Sequence, residues 1–193
     1  MVQKQNVMVL ASGGIDSTAC IHYYLSLDFK VKAFFVNYGQ KSLNMEARSV
    51  QEVASHYGIK LGSINCRFQN NFSSGELIGR NGFLILAAIM ANPCFKGLIS
   101  LGIHFGSPYY DCTPAFVSDI NKVIESYTNG QVKLDAPFLS WEKSMIYEYC
   151  KNEGVPVDLT YSCENGGTKP CGKCLSCLDR GILDASQKNE NYV

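Results

Sequence analysis

Surplus charge is the first thing this chain lacks. Among its 193 residues Lys and Arg number 17 and Asp and Glu number 17, leaving a formal net charge of zero. Proteins that grip the phosphate backbone of DNA or RNA carry a basic excess, so the balance argues against a nucleic-acid partner. Long hydrophobic runs are missing as well. The longest, Phe83 to Ala91, is about half of the ~20 residues a membrane-spanning helix needs, and no membrane partner is expected. No secretory leader is read, because the opening MVQKQN passes straight into a strand-like run. Charged residues are sparse at 18 %, whereas apolar ones reach 46 %, which excludes a disordered chain and provides for a buried core. The length fits one compact domain, or one domain with a small appendage. What is plentiful is cysteine, with nine. An odd count without a leader points away from a disulfide framework and towards metal or thiol chemistry in a reducing compartment, so a cytoplasmic location is expected.

Apolar patterning predicts alternating strands and helices. Val7 to Ala11 is a continuous apolar run, as in a strand buried on both faces of a parallel sheet. A helix follows to about Leu27, then β-rich Lys30 to Val36, a helix over Ser42 to Tyr57, and a weaker strand over Leu61 to Cys66. Phe83 to Ala91 reads as a buried helix and Leu98 to Ile103 as a central strand. Thr113-Pro114 has the form of a helix start, with Thr as N-cap and Pro in the first turn, and Phe116, Ile120, Val123, Ile124 and Tyr127 are expected on its buried face. Val132 to Leu134 is a last strand, and Trp141 to Asn152 a helix stopped by Gly154 and Pro156. The fold class expected is therefore α/β, three layers around a mainly parallel sheet. From Thr160 the chain turns to glycine, cysteine and polar residues, with no apolar periodicity read there. Residues 1–159 are expected to form the α/β domain and residues 160–193 a cysteine-held appendage.

Two motifs carry chemistry. Ser12-Gly13-Gly14-Ile15-Asp16-Ser17-Thr18 lies between the first strand and the first helix. Paired glycines let backbone N–H groups approach a ligand, and the helix N-terminus favours negative charge there. Ser12, Ser17 and Thr18 add hydroxyl donors for phosphate oxygens. Asp16 would repel a phosphate unless a divalent cation bridges the two, so it points to Mg²⁺ or to a capping role. The string is neither the Walker pattern nor GxGxxG. The second motif is Cys163, Cys171, Cys174 and Cys177, spaced C-x7-C-x2-C-x2-C. Thiolates two residues apart reach one ion from a tight knuckle, and four close a tetrahedral site, which suits structural Zn²⁺; an iron–sulfur cluster also uses four cysteines. Of the remaining cysteines, Cys20, Cys94 and Cys150 are read as small core residues.

SGGIDST resembles the PP-loop of the ATP pyrophosphatase superfamily, and TYSCENGGTKPCGKCLSCLDRG beyond it resembles the QueC family of queuosine biosynthesis. The likeness covers most of the chain. It takes in Asn37-Tyr38-Gly39-Gln40 with Glu46 and Ala47, Gly79-Arg80-Asn81 with Leu84, Asp111-Cys112, Ala136-Pro137 with Lys143, and Arg180. What it implies is a HUP-like, Rossmann-like PP-loop fold whose residues Ser12, Gly13, Gly14, Asp16, Ser17 and Thr18 embrace the pyrophosphate of ATP with Mg²⁺. It also implies an enzyme, an ATP-dependent carbon–nitrogen ligase that acts on a small molecule. That ligase adenylates the carboxylate of 7-carboxy-7-deazaguanine, lets ammonia displace AMP to give an amide, and uses a second ATP to form the nitrile. A homodimer is implied too.

Pyrophosphate and AMP are anionic leaving groups, so Arg80 or Lys143 is expected beside Asp16 as catalytic charge. A cation such as Arg80 at a helix N-terminus calls for a ligand or an acid partner. Tyr38 is placed either on adenine or over a sheet edge, with Gly79 beside the nucleotide. Arg80, Asn81, Gly102, Asp111 and Cys112 are the residues expected around the deazaguanine, with Asp111 on its guanine-like edge. The family segment normally reads like GVNxxDxxGYPDCR, whereas here Gly102 to Thr113 is shorter, with His104 at the family's Asn, Tyr110 at its Pro and Thr113 at its Arg. The loop between Cys66 and Gly79 looks trimmed, and Glu164 stands where Tyr is usual. These departures gather where the base and the nucleophile are expected. Resemblance to QueC-like relatives of bacterial antiviral defence implies a second function class, a ligase that joins the activated carboxylate to a protein amine, and a trimmed, open pocket would suit so bulky a nucleophile. Further classes are a PP-loop tRNA thiolation enzyme, disfavoured by the neutral charge, and a nucleotide-sensing subunit without turnover.

Overall fold

The structure, a computed structural model, describes residues 4–66 and 77–190. The segment between Cys66 and Gly79 that looks trimmed in sequence lies mostly outside those residues. Five parallel strands, β1 (Asn6–Leu10), β2 (Lys30–Asn37), β3 (Lys60–Asn65), β4 (Gly97–Ser100) and β5 (Val132–Asp135), form one sheet in the order β3-β2-β1-β4-β5. Val7 pairs with Val31 on one side and with Leu98 on the other. Residues alternate between the faces of a strand, and β1 shows the result. Val7 and Val9 enter one core, with helices α1 (Ile15–Ser26), α2 (Leu43–His56) and α5 (Lys143–Asn152). Met8 and Leu10 enter the other, with α3 (Arg80–Ala91) and α4 (Pro114–Thr128). The expected three-layer α/β fold with a parallel sheet is the observed one.

Strand order reverses between β1 and β4, because β1 to β3 run outward in one direction and β4 returns to the free side of β1. In open α/β sheets that reversal opens a crevice at the carboxyl ends of the two strands. The glycine loop leaves β1 there, and Gly102 and His104 follow β4. Thr113 caps α4 as its type suggests, its Oγ1 accepting from the Phe116 N–H at 3.2 Å, with Pro114 in the first turn.

Five local expectations fail. On α4 the buried face is Phe116, Ile120 and Ile124, spaced by four, while Val123 is exposed and Tyr127 is 75 % exposed; their spacing of three from Ile120 and Ile124 carries them off the packed stripe. Met90 likewise leaves the buried side of α3. Cys94 is exposed in the turn after α3, where no helix face can bury it, whereas Cys20 and Cys150 are buried. Strand β4 ends at Ser100, although Leu101 and Ile103 remain buried beyond it. The tail also contains a helix, α6 (Leu175–Glu190), whose Leu175, Leu178 and Ile182 recur at helical spacing but are exposed. Among the described residues no helix is long and apolar enough to cross a membrane.

Phe138, in the segment linking β5 to α5, has no exposed surface and lies against the rings of Tyr23, Trp141 and Tyr149 at centroid distances of 5.7, 5.0 and 5.9 Å. Phe138→Ala is expected to cost about 3–5 kcal/mol, which for a chain of this size lowers the melting temperature by roughly 10 °C. Thermal denaturation followed by circular dichroism measures it. A drop of a degree or two would mean that the ring does not close this core.

Candidate active site

The glycine loop builds its own frame. Gly13 adopts φ +77°, and a Cβ there would lie 2.9 Å from the Glu46 carbonyl oxygen and from Ser49 Cβ, so only glycine fits between β1 and α2. Gly14 precedes α1 in extended conformation and contributes no side-chain cap. Its carbonyl accepts from Ser17 Oγ at 3.1 Å and Thr18 Oγ1 at 3.0 Å, while Ser17 Oγ also accepts from the Ser12 N–H at 3.3 Å. The Gly13 carbonyl points away from the cavity and accepts from Ser49 Oγ and from the Tyr161 N–H, each at 2.8 Å. Ser49 Oγ also lies 2.6 Å from the Leu159 carbonyl. The phosphate-type loop is thus clamped from behind by α2 and by the chain leading into the tail.

In front of the loop lies a cavity of about 570 Å³, within the range of small-molecule sites. Ser12, Gly14, Asp16 and Ser17 line one wall. Asp16, in the first turn of α1, is ion-paired with Lys143, the first residue of α5, and both side chains are about a quarter exposed. Gly102 packs against Asp16, since a Cβ would lie 2.9 Å from the Asp16 carbonyl carbon.

Tyr38, Glu46 and Arg80 also line the cavity. Burial pushes the Tyr38 phenol and the Glu46 carboxyl above their ordinary values. The Arg80 guanidinium opposes both shifts, and Ser42 and Gln40 donate to Glu46 at 2.5 and 2.8 Å. Arg80 at the start of α3 therefore faces an acid, Glu46. Burial also raises the Cys112 thiol, against a hydrogen bond from Ser107.

Several of the residues singled out in sequence stand back from the cavity. Asp111 does not line it: Asp111 Oδ2 accepts from the Asn81 N–H at 3.2 Å, and its carbonyl accepts from Asn81 Nδ2 at 3.0 Å. Helix α3 has Gly79 as its N-cap, with φ +76° and no side chain to cap with, so an acid from another segment supplies the acceptor. Asp111 thus holds Asn81, which does line the cavity together with Cys112 and Gly102. Gly13, Thr18 and Gly79 are likewise outside the lining, as parts of its frame. Sequence reasoning missed Ser49, and took in Tyr161 only as part of the YSC that opens the cysteine cluster. Ser49 had one faint signal, a small polar residue beside the buried Val50 and Val53 of α2.

Cys163, Cys171, Cys174 and Cys177 come together with all four Sγ atoms within 4.8 Å of one another. Cys171 and Cys177 are 3.9 Å apart, and a zinc ion bonded at about 2.3 Å to four sulfurs spaces them by about 3.8 Å. The Lys173 and Cys174 N–H groups each lie 3.4 Å from Cys171 Sγ and bring that thiol down to about 6, whereas burial raises Cys177 to about 12. The donor set fits Zn²⁺. A Cβ on Gly166 would lie 2.1 Å from the Lys41 carbonyl oxygen, so the knuckle sits directly against the approach to α2. Arg180, on α6, lines the cavity, donates to Asp184 at 3.1 Å and to Thr160 Oγ1 at 3.2 Å, and lies over the Tyr147 ring.

Comparison with known proteins follows the same outline. The model of the family "Queuosine biosynthesis protein QueC" matches residues 6–84 and 77–183. The chain is 31 % identical to a 7-cyano-7-deazaguanine synthase of Sulfurihydrogenibium sp. (strain YO3AOP1), covering 93 % of this chain and 94 % of that one. It is 30 % identical to one of Pseudoalteromonas atlantica, covering 98 % and 96 %. Among solved structures, the NMN synthetase of Francisella tularensis aligns with a TM-score of 0.55 at 14 % identity, over 95 % of this chain and 78 % of that one. The NH3-dependent NAD synthetase of Campylobacter jejuni aligns at 0.50 and 16 %, over 97 % and 77 %. At those identities the structures speak for the fold alone. The glycine loop, the four-cysteine knuckle and the match along both halves together make the chain a member of the QueC family of ATP-using queuosine-biosynthesis enzymes.

Proposed function

We propose that the chain activates the carboxylate of 7-carboxy-7-deazaguanine with ATP and transfers the acyl group to a nitrogen nucleophile, ammonia in the first instance. The observation that carries this reading is that one cavity is lined by Ser12, Gly14 and Ser17 of the loop, by the Asp16–Lys143 pair and by Arg80. In it, N–H and hydroxyl groups of Ser12, Gly14 and Ser17 bind the β- and γ-phosphates at the N-terminus of α1. A carboxylate oxygen of the substrate forms a bond to the α-phosphorus while the bond from that phosphorus to the bridging oxygen breaks. Pyrophosphate leaves into the loop, where Lys143 and Arg80 balance its charge. Asp16 is the residue that would hold Mg²⁺ at the phosphates, and the ion, when bound, neutralises charge developing on their oxygens. Asn81, Gly102 and Cys112 surround the deazaguanine, with Tyr38 beside the nucleotide. The tail from residue 160 acts as a metal-held clamp on the body formed by residues before it, and its zinc is structural because four cysteines leave no open position.

A second nucleophile has one observation in its favour. Phe105 and Tyr110 are exposed, at 62 % and 56 %, on the segment that borders the cavity. Such apolar rings suit the amine of a protein partner better than free ammonia. Mass spectrometry of one reaction separates the cases: enzyme, Mg²⁺, ATP, 7-carboxy-7-deazaguanine and ammonium. Nitrile with AMP is the expected outcome. Adenylate or amide without nitrile would redirect the search to a protein amine, and absence of AMP would overturn the reading.

A further inference from the structure

We propose that His104 is the general base of the nitrogen-transfer step, taking the proton from the attacking nitrogen on its Nε2. The assignment rests on the adenylation reading above. His104 follows β4 at the switch point, two residues beyond the Gly102 that packs on Asp16, and its half-buried side chain lines the cavity. Its Nδ1 lies 2.7 Å from the Phe105 carbonyl oxygen. A carbonyl can only accept, so Nδ1 carries the hydrogen, and in the neutral imidazole Nε2 keeps its lone pair. No second hydrogen bond to His104 is made among the described residues. The Phe105 N–H donates to the Trp141 carbonyl at 2.8 Å, which ties the imidazole to the segment that carries Lys143.

Most other proton acceptors of the cavity are engaged or carry their protons, and Asp179, which also lines it, is an exposed residue of α6. Asp16 is paired with Lys143, Glu46 accepts from Ser42 and Gln40, and Glu164 Oε1 accepts from Ser176 Oγ at 2.9 Å. Burial keeps the Cys112 thiol and the Tyr38 phenol protonated. The His104 imidazole, by contrast, has a ring nitrogen without a hydrogen-bond partner among the described residues. In the step assigned to it, the lone pair of NH₃ forms the C–N bond to the acyl carbon. The carbon–oxygen bond to the phosphate breaks with its electron pair, AMP departs, and one N–H proton passes to Nε2 and then to solvent.

The test uses His104→Gln in the full chain with ATP, Mg²⁺ and 7-carboxy-7-deazaguanine. Three rates are read: pyrophosphate exchange into ATP for adenylation, amide formation from ammonium, and hydroxamate formation from hydroxylamine. Hydroxylamine is an uncharged and more reactive nucleophile near neutral pH, and its adduct sheds a proton to water unaided. Amide formation is expected to fall about 10²-fold, the scale of general-base catalysis, while exchange persists and hydroxamate formation stays within about threefold. An undiminished amide rate, or a hydroxamate rate that falls as far as the amide rate, would overturn the assignment. If the unmodified chain shows no exchange, the adenylation reading fails and the base assignment falls with it.

Discussion

Asp16→Asn is expected to lower ATP-dependent AMP formation by about 10²–10³-fold, the scale of losing one preorganised electrostatic contact in a closed site. Asn has nearly the volume of Asp, so the packing of Gly102 against the start of α1 is kept. What is lost is the carboxylate charge that pairs with Lys143 and that would hold the cation at the phosphates. The ammonium of Lys143 then has no fixed counter-charge and is no longer aimed by one. Lys143→Gln removes the other half of the same pair. Because the two act as a unit, the double variant is expected to be little worse than the poorer single one, and residues that act together show this non-additivity. The measurement is AMP release by chromatography on all three variants, with thermal melts to show that each is folded. An Asp16→Asn protein that consumes ATP at the unaltered rate would remove Asp16 from the mechanism.

Cys174→Ser is expected to empty the cysteine cluster of metal and to weaken ATP binding by about tenfold, while the sheet and its five packed helices persist. The tail has little packing of its own, since Leu175, Leu178 and Ile182 all face outward, so its order depends on the ion. Structural zinc contributes on the order of 10 kcal/mol to small domains of this kind. Without it the stretch that presents Leu159 and Tyr161 loosens. The Gly13 carbonyl then loses the Tyr161 donor, and Ser49 its contact with Leu159. The phosphate loop is then free to leave the shape that aims its N–H groups. Metal content and calorimetric titration with ATP read the two effects separately. Metal loss with unchanged affinity for ATP would show that the tail does not set the loop.

Much of this was legible because burial writes itself into sequence on two scales. A strand covered on both faces is apolar throughout, so Val7 to Leu10 is visible, and the glycine pair next to it marks a turn where backbone passes close to α2. Four cysteines at knuckle spacing leave few other arrangements. What stayed hidden depends on contacts between segments far apart in the chain. In sequence Asp111 reads as a residue on the guanine-like edge of the base, and nothing local shows that it also accepts from Asn81 where α3 starts at a glycine without a side chain. Helix α6 escaped although Leu175, Leu178 and Ile182 recur at helical spacing: that stripe is exposed, and the helix docks instead by polar bonds, Arg180 donating to Thr160 and Asp184 accepting from Tyr147. The Glu46 carboxyl has no local mark of burial; only the folding of α2 over β2 encloses it.

The double grip on Gly13 also sets an order of assembly. One side, Ser49, is made early in the chain, but the other comes from residues 159–161, and the Ser49–Leu159 contact spans 110 residues. Contacts of such separation form late, since long loops must close first. A nascent chain that has emerged as far as α5 therefore already has every strand of its sheet, yet its phosphate loop has nothing behind it. Only when the tail swings back does the loop lock, so the newborn protein becomes a nucleotide binder at the last stage of its own folding.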